Sequence, residues 1–251
     1  MRNAECGMRN RPILGGVPLS FRTPYSALRT GFTLIELLVV ISIMALLAAL
    51  TFGVLGGVHK TASISAASAE LGQIESALED YKGQYGVYPP SNPLNPLLNP
   101  LYYELVGVMA TNNVAGSAGY VTLDGASGVK LTDYTSLSLF NVGGAINCIK
   151  PGDTESAKAR PFLSSLKQNR IGSYNAPSGN PVNLLITSVR GPDASYMPLG
   201  PAYADINPFR YAYPGTNNPN SYDLWIQLVI SGKTNLICNW SKNPIKNSPL
   251  P

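Results

Sequence analysis

From Leu37 to Val58 the chain carries no charged residue, and His59 and Lys60 close the run. A helix rising 1.5 Å per residue needs about 20 such residues to cross a hydrocarbon core. A secretory signal has an apolar core of only about 7 to 15 residues with a cleavage site behind it, so this stretch reads as a retained membrane helix. Directly before it stands an acid, Glu36, in the segment Gly31-Phe32-Thr33-Leu34-Ile35-Glu36. An ionised carboxylate at mid-bilayer costs roughly 2.5 to 3.5 kcal/mol, so something must offset it.

Charge is placed unevenly. Arg2, Arg9, Arg11, Arg22 and Arg29 stand against Glu5 in the first 31 residues, which accounts for the net +4 of the whole chain. The remainder is neutral, so the basic character is no nucleic-acid footprint and no nucleic-acid partner is expected. Arginines ahead of an apolar run instead place the N-terminus in the cytoplasm and the residues beyond the run on the other side of the membrane. The 24 glycines, 21 prolines and only 13% charged residues fit a loop-rich extracytoplasmic domain.

The segment from Gly31 to Glu36 resembles the processing signature of type IV pilins and of type II secretion pseudopilins. The resemblance implies a prepilin leader at residues 1–31, removed by prepilin peptidase between Gly31 and Phe32, and N-methylation of Phe32. Met8 is an alternative start to Met1. The cut creates an amine at Phe32, at the edge of the same apolar segment as Glu36, and an acid with such a partner escapes most of its desolvation cost. In the family that amine belongs to a neighbouring subunit, which makes Glu36 an assembly residue. The alternative is a helix-end glutamate reaching for the interface. Gly53 and Gly57 have the spacing that lets membrane helices approach closely, or are simply tolerated there.

Past Lys60, Ile64, Ala67, Leu71, Ile74, Leu78, Tyr81 and Tyr85 step alternately by three and four, a single apolar stripe. It predicts an amphipathic extension over 59–86 that lies on a sheet, with a coiled coil as the alternative. Gly83, Gly86 and Pro89-Pro90 end it. Tyr85 to Pro89 resembles the turn that comes after the long helix in pseudopilins. Three Asn-Pro-Leu units come next, the last predicting a helix over 101–108 with Asn99 as its cap and Pro100 at its first position. A further short helix is expected at 157–167, and strands at 182–189, 209–213, 222–230 and 235–240. The fold class is therefore α+β: a 32–58 transmembrane half and an amphipathic half of one long helix, packed on a small antiparallel sheet in a pilin-like domain over 87–251.

The stretch from Asn207 to Gly215, NPFRYAYPG, with Tyr222-Asp223-Leu224 after it, resembles the C-terminal pattern of the major pseudopilin. That pattern implies a structural subunit of a secretion pseudopilus, with other pseudopilin subunits, the inner-membrane assembly platform and membrane lipid as partners. A subunit of a type IV pilus for adhesion, motility or DNA uptake, and a membrane-tethered periplasmic binding module, are the alternatives. The family's calcium loop is replaced by Ser231-Gly232-Lys233-Thr234-Asn235, and a lysine in place of oxygen ligands argues against that site. No cofactor is expected, with calcium as the alternative; Asp193, Asp205 and Asp223 are the scattered oxygen donors. His59 is the only histidine, which excludes a Ser-His-Asp relay in the globular part and a multi-histidine zinc site. Cys6 leaves with the leader, and Cys148 and Cys238 remain on the oxidising side, where a disulfide is permitted. The localisation implied is the inner membrane, single pass, with the domain in the periplasm.

Overall fold

The computed structural model describes residues 32–152, 159–163, 166–189, 196–230 and 232–249, with backbone alone at 50–58. The leader, Gly31, Cys6 and Asp193 lie outside them. The chain divides into two compact units, Met1–Thr51 and Phe52–Pro251. One helix, α1 (Leu34–Tyr85), contributes to both.

In the first unit the side chains from Phe32 to Ala49 are exposed on every face of the helix. Among the described residues no helix is long and apolar enough to cross a membrane. The expected span of 32–58 includes positions 50–58, whose side chains are not described.

In the second unit the stripe behaves as its spacing predicts. Ala67, Leu71, Ile74, Leu78 and Tyr81 are buried, joined by Ala77, and Ile64 and Tyr85 pack at the margin of the same core. Gly86 ends the helix at a backbone angle (φ +75°) that favours glycine, with its N–H on the Lys82 carbonyl at 2.7 Å. The stripe shares its core with α2 (Leu101–Val106) and with three sheets. The first sheet has the order β3 (Gly128–Lys130), β2 (Ser117–Thr122), β1 (Val108–Val114), β4 (Cys148–Ile149). A four-residue helix, α3 (Leu131–Tyr134), comes directly after β3. The second sheet is a hairpin of β5 (Ile171–Asn175) and β6 (Pro181–Leu185). The third has the order β10 (Ile245–Lys246), β9 (Lys233–Cys238), β8 (Asp223–Ile230), β7 (Arg210–Ala212), antiparallel throughout.

The α+β class holds, with antiparallel sheets after the long helix. The single small sheet becomes three, and one pairing, β1 with β4, is parallel. The strands expected at 222–230 and 235–240 are β8 and β9. Those expected at 182–189 and 209–213 are shorter, because beyond Leu185 only an isolated bridge, Ile186 to Pro208, continues the pairing. The helix expected at 157–167 is corrected: its described residues, 159–163 and 166–167, are not helical. Pro161 removes an N–H and disfavours helical backbone at Arg160. Both backbone polar groups of Arg160 are bound by the Asn147 amide, and the N–H groups of Phe162 and Leu163 donate to the Leu105 carbonyl. Asn99 and Pro100 sit one position earlier than expected; the Asn99 side-chain oxygen accepts from Leu101 N–H at 3.2 Å.

Candidate assembly site at the head of the long helix

The first turn of α1 closes on itself. Thr33 and Glu36 stand three apart at the helix start, where the leading N–H groups have no partner within the helix. The Thr33 backbone N–H donates to the Glu36 carboxylate at 2.9 Å and the Thr33 hydroxyl donates to the same oxygen at 2.8 Å. In return the Glu36 N–H lies 3.3 Å from the Thr33 hydroxyl oxygen. This is a capping box, and it gives Glu36 a role within its own chain beyond the assembly role expected from the motif. The signal was present as Thr-x-x-Glu ahead of an apolar run. Phe32, 79% exposed, precedes this turn, and Ile35, Val39 and Val40 flank Glu36 in an open apolar hollow.

The C-terminal motif explains itself physically. The Tyr211 hydroxyl donates to the Pro89 carbonyl at 2.8 Å and its N–H to the Pro96 carbonyl, so this strand fastens the segment after α1. Asp223 gathers the turn before β8: its oxygens accept from Asn217 N–H at 2.8 Å and Asn218 N–H at 3.0 Å. A Cβ at Gly215 would stand 2.6 Å from the Asp223 carboxylate, so the close approach requires glycine. Asp223 is thus occupied by amide donors, and among the described residues no three metal-ligating side chains gather.

Glu104 is the buried structural acid that the sequence did not reveal. It is fully buried on α2, and its carboxylate accepts from Tyr81 of α1 (2.7 Å), Tyr134 of α3 (3.0 Å) and the N–H groups of Ile146 and Asn147 (3.1 Å each). Asn147 completes the knot: its amide donates to the Glu104 and Arg160 carbonyls and accepts from Arg160 N–H and the Tyr85 hydroxyl. Every hydrogen-bonding position of that amide is used. Burial pushes the Glu104 carboxyl above its ordinary range, against the pull of the four donors, and also pushes up the Tyr81 and Tyr134 hydroxyls. Tyr103, close by and likewise buried, is pushed up to about 12. The only signal in the sequence was one acid inside the apolar stretch LYYELV.

The permitted disulfide is not formed. Cys148 lies on β4 and Cys238 on β9, in different sheets, and no bond joins them. Burial raises the Cys238 thiol above its ordinary value.

With this geometry in place, the comparison with known families is specific at one point. Residues 27–52 match the model of the prokaryotic N-terminal methylation motif. The chain carries a pilin-type methylation motif. That motif is typical of type IV pilins and pseudopilins, structural proteins that are processed by prepilin peptidase, anchored in a membrane and assembled with other pilin-type subunits. The match contains Thr33, Glu36 and the exposed apolar head of α1, and leaves residues 53–251 unmatched. No curated protein and no solved structure matches the chain.

Proposed function

We propose that this chain is a structural subunit of a type II secretion pseudopilus. The observation that carries the proposal is the head of α1: side chains exposed on all faces, apolar throughout except for Thr33, Glu36 and Ser42, and beginning at the Gly31-Phe32 junction. A surface of that kind is stable only in lipid or among other apolar helices, and a filament of pilin-type subunits supplies both in turn. In this reading the peptidase removes residues 1–31, Phe32 becomes an N-methylated terminus, and residues 32–58 hold the subunit in the inner membrane until assembly. Glu36 then exchanges its own Thr33 for the Phe32 amine of a neighbouring subunit. The sequence of the β7–β8 region, NPFRYAYPG with YDL after it, favours a pseudopilus over a type IV pilus.

Mass spectrometry of the protein from its native membrane is expected to show a chain that begins at N-methyl-Phe32. Deleting the gene is expected to trap exported proteins in the periplasm while leaving surface pili intact. Loss of surface pili with normal secretion would assign the subunit to a type IV pilus. A deletion that changes neither would favour a tethered binding module.

A further inference from the structure

Two tyrosines share one base in the core. The Tyr81 hydroxyl donates to one oxygen of the Glu104 carboxylate at 2.7 Å and the Tyr134 hydroxyl to the other at 3.0 Å, and all three side chains are 0% exposed. A phenol that gives up an electron becomes a strong acid, so its oxidation is eased where a base stands within hydrogen-bond reach of its proton. Tyr81 has the shorter of the two bonds.

Aromatic packing connects this pair to the surface. The Tyr81 ring centre lies 4.7 Å from that of Tyr85, which is only half-buried. Tyr85 donates its own hydroxyl to the Asn147 amide oxygen at 2.7 Å, and a neutral amide is a much weaker base than a carboxylate. An oxidising equivalent that reaches Tyr85 therefore rests more favourably one ring further in. Tyr88 also donates to a carboxylate, Glu79, at 2.9 Å, but the Lys82 ammonium stands 4.5 Å from its ring centre, and a positive charge there opposes the loss of an electron.

We propose that Tyr81 is a one-electron oxidation site with Glu104 as its proton acceptor. One electron passes from the Tyr81 ring by way of Tyr85 to a one-electron oxidant of the peroxyl-radical class at the surface, and the Tyr81 hydroxyl proton moves to the ionised Glu104 carboxylate. The products are a neutral Tyr81 radical, a protonated Glu104 and a hydroperoxide anion; apart from that proton transfer, no bond forms or breaks. Burial keeps the radical from meeting a second one, so the site holds an oxidising equivalent that would otherwise cross-link tyrosines at the surface.

The test is flash oxidation of the full chain in detergent micelles with tris(bipyridine)ruthenium(II) and persulfate. Samples are frozen after a short delay for electron paramagnetic resonance, and dityrosine fluorescence is read after a long one. The parent is expected to hold a persistent tyrosyl signal and to form little dityrosine. Tyr81→Phe keeps the ring but has no hydroxyl proton, and Glu104→Gln keeps an accepting oxygen but is no base; both are expected to lose the persistent signal and to gain dityrosine. Tyr134→Phe, which also removes a hydrogen bond to Glu104, and Tyr88→Phe are expected to keep the signal, which separates oxidation at Tyr81 from damage to the core. If the parent holds no persistent radical, if Tyr81→Phe retains it, or if Tyr134→Phe or Tyr88→Phe abolishes it, the proposal is wrong.

Discussion

The two halves of α1 solve different problems with one backbone. From Ile64 to Tyr85 apolar residues occupy a single stripe, and the chain's own core takes them in. From Phe32 to Ala49 they occupy every face and are exposed, and no other described residue of the first unit covers them. Polar groups divide the same way. In the head, Glu36 is satisfied by a neighbour three residues away. In the stripe, Tyr81 is satisfied by Glu104, 23 residues distant in sequence. Local satisfaction leaves a segment free to change surroundings, whereas long-range satisfaction fixes it in one fold. The first half is thus suited to a change of surroundings, and the second to fixing the core of the domain.

Substitutions at Glu104 test the fixed half most severely. Glu104→Ala strips four buried donors of their acceptor and is expected to cost on the order of 4 kcal/mol in urea unfolding of the full chain in micelles. Glu104→Gln keeps one accepting oxygen and is expected to lose less than half of that. The pH dependence carries a definite sign. The folded Glu104 carboxyl titrates above its ordinary value of 4.5, so between the two values the folded state binds more protons than the unfolded one. Its contribution is complete below the unfolded value and is lost as pH rises through the raised folded value. Subtracting the pH profile of Glu104→Gln from that of the parent should reveal this falling step. A flat difference would mean that folding leaves the Glu104 carboxyl at its ordinary value, and a rising one that the four donors hold it charged.

The next contrast sets Leu78 against Leu38. Leu78→Ala opens a cavity in the core and is expected to cost about 2 to 5 kcal/mol. Leu38 is 51% exposed, and Leu38→Ala is expected to change domain stability by less than about 0.5 kcal/mol. Equal losses would erase the distinction between the halves. Thr33→Val removes the hydroxyl partner of Glu36 and is expected to fray the first turn by about 1 kcal/mol, seen as faster amide exchange at Leu34 to Glu36 with the domain unchanged. The smallest effect is at the cysteines. Thiol titration of the unreduced, denatured mature chain should find Cys148 and Cys238 both reactive, and reductant should leave its melting temperature in place.

The helix was readable because its two patterns are strong: an uncharged run, then a strict three-four alternation ended by Gly86. β8 and β9 were readable as strand-forming runs set between Gly, Pro and Asn clusters. The first sheet was not. In β2 the sequence Ser-Ala-Gly-Tyr-Val-Thr offers few large apolar residues, and a Cβ at Gly119 would stand 2.2 Å from the Val129 carbonyl oxygen. There the strands meet through absent side chains, which periodicity cannot register. The turn at Asp124-Gly125, with glycine at φ +71°, was the usable signal between β2 and β3. At the candidate site, Gly31, Phe32 and Glu36 stood out as a motif, and the cap is written in the same letters. Glu104 did not stand out, since its partners come from distant segments that only the fold brings together.

Glu36 is where the account is most exposed, because the cap and the charge can be separated. Glu36→Gln keeps an oxygen to accept from Thr33 and removes the charge; Glu36→Leu removes both. Neither change should harm membrane insertion or cleavage after Gly31. The measurement is filament yield on overexpression, with membrane-inserted and processed protein quantified alongside. If Glu36 pairs with a neighbouring Phe32 amine, both variants are processed and both assemble poorly, a loss on the order of 3 to 5 kcal/mol for a broken buried pair. If Glu36→Gln assembles as well as the parent, Glu36 serves only to cap its own helix, and the pairing account is contradicted.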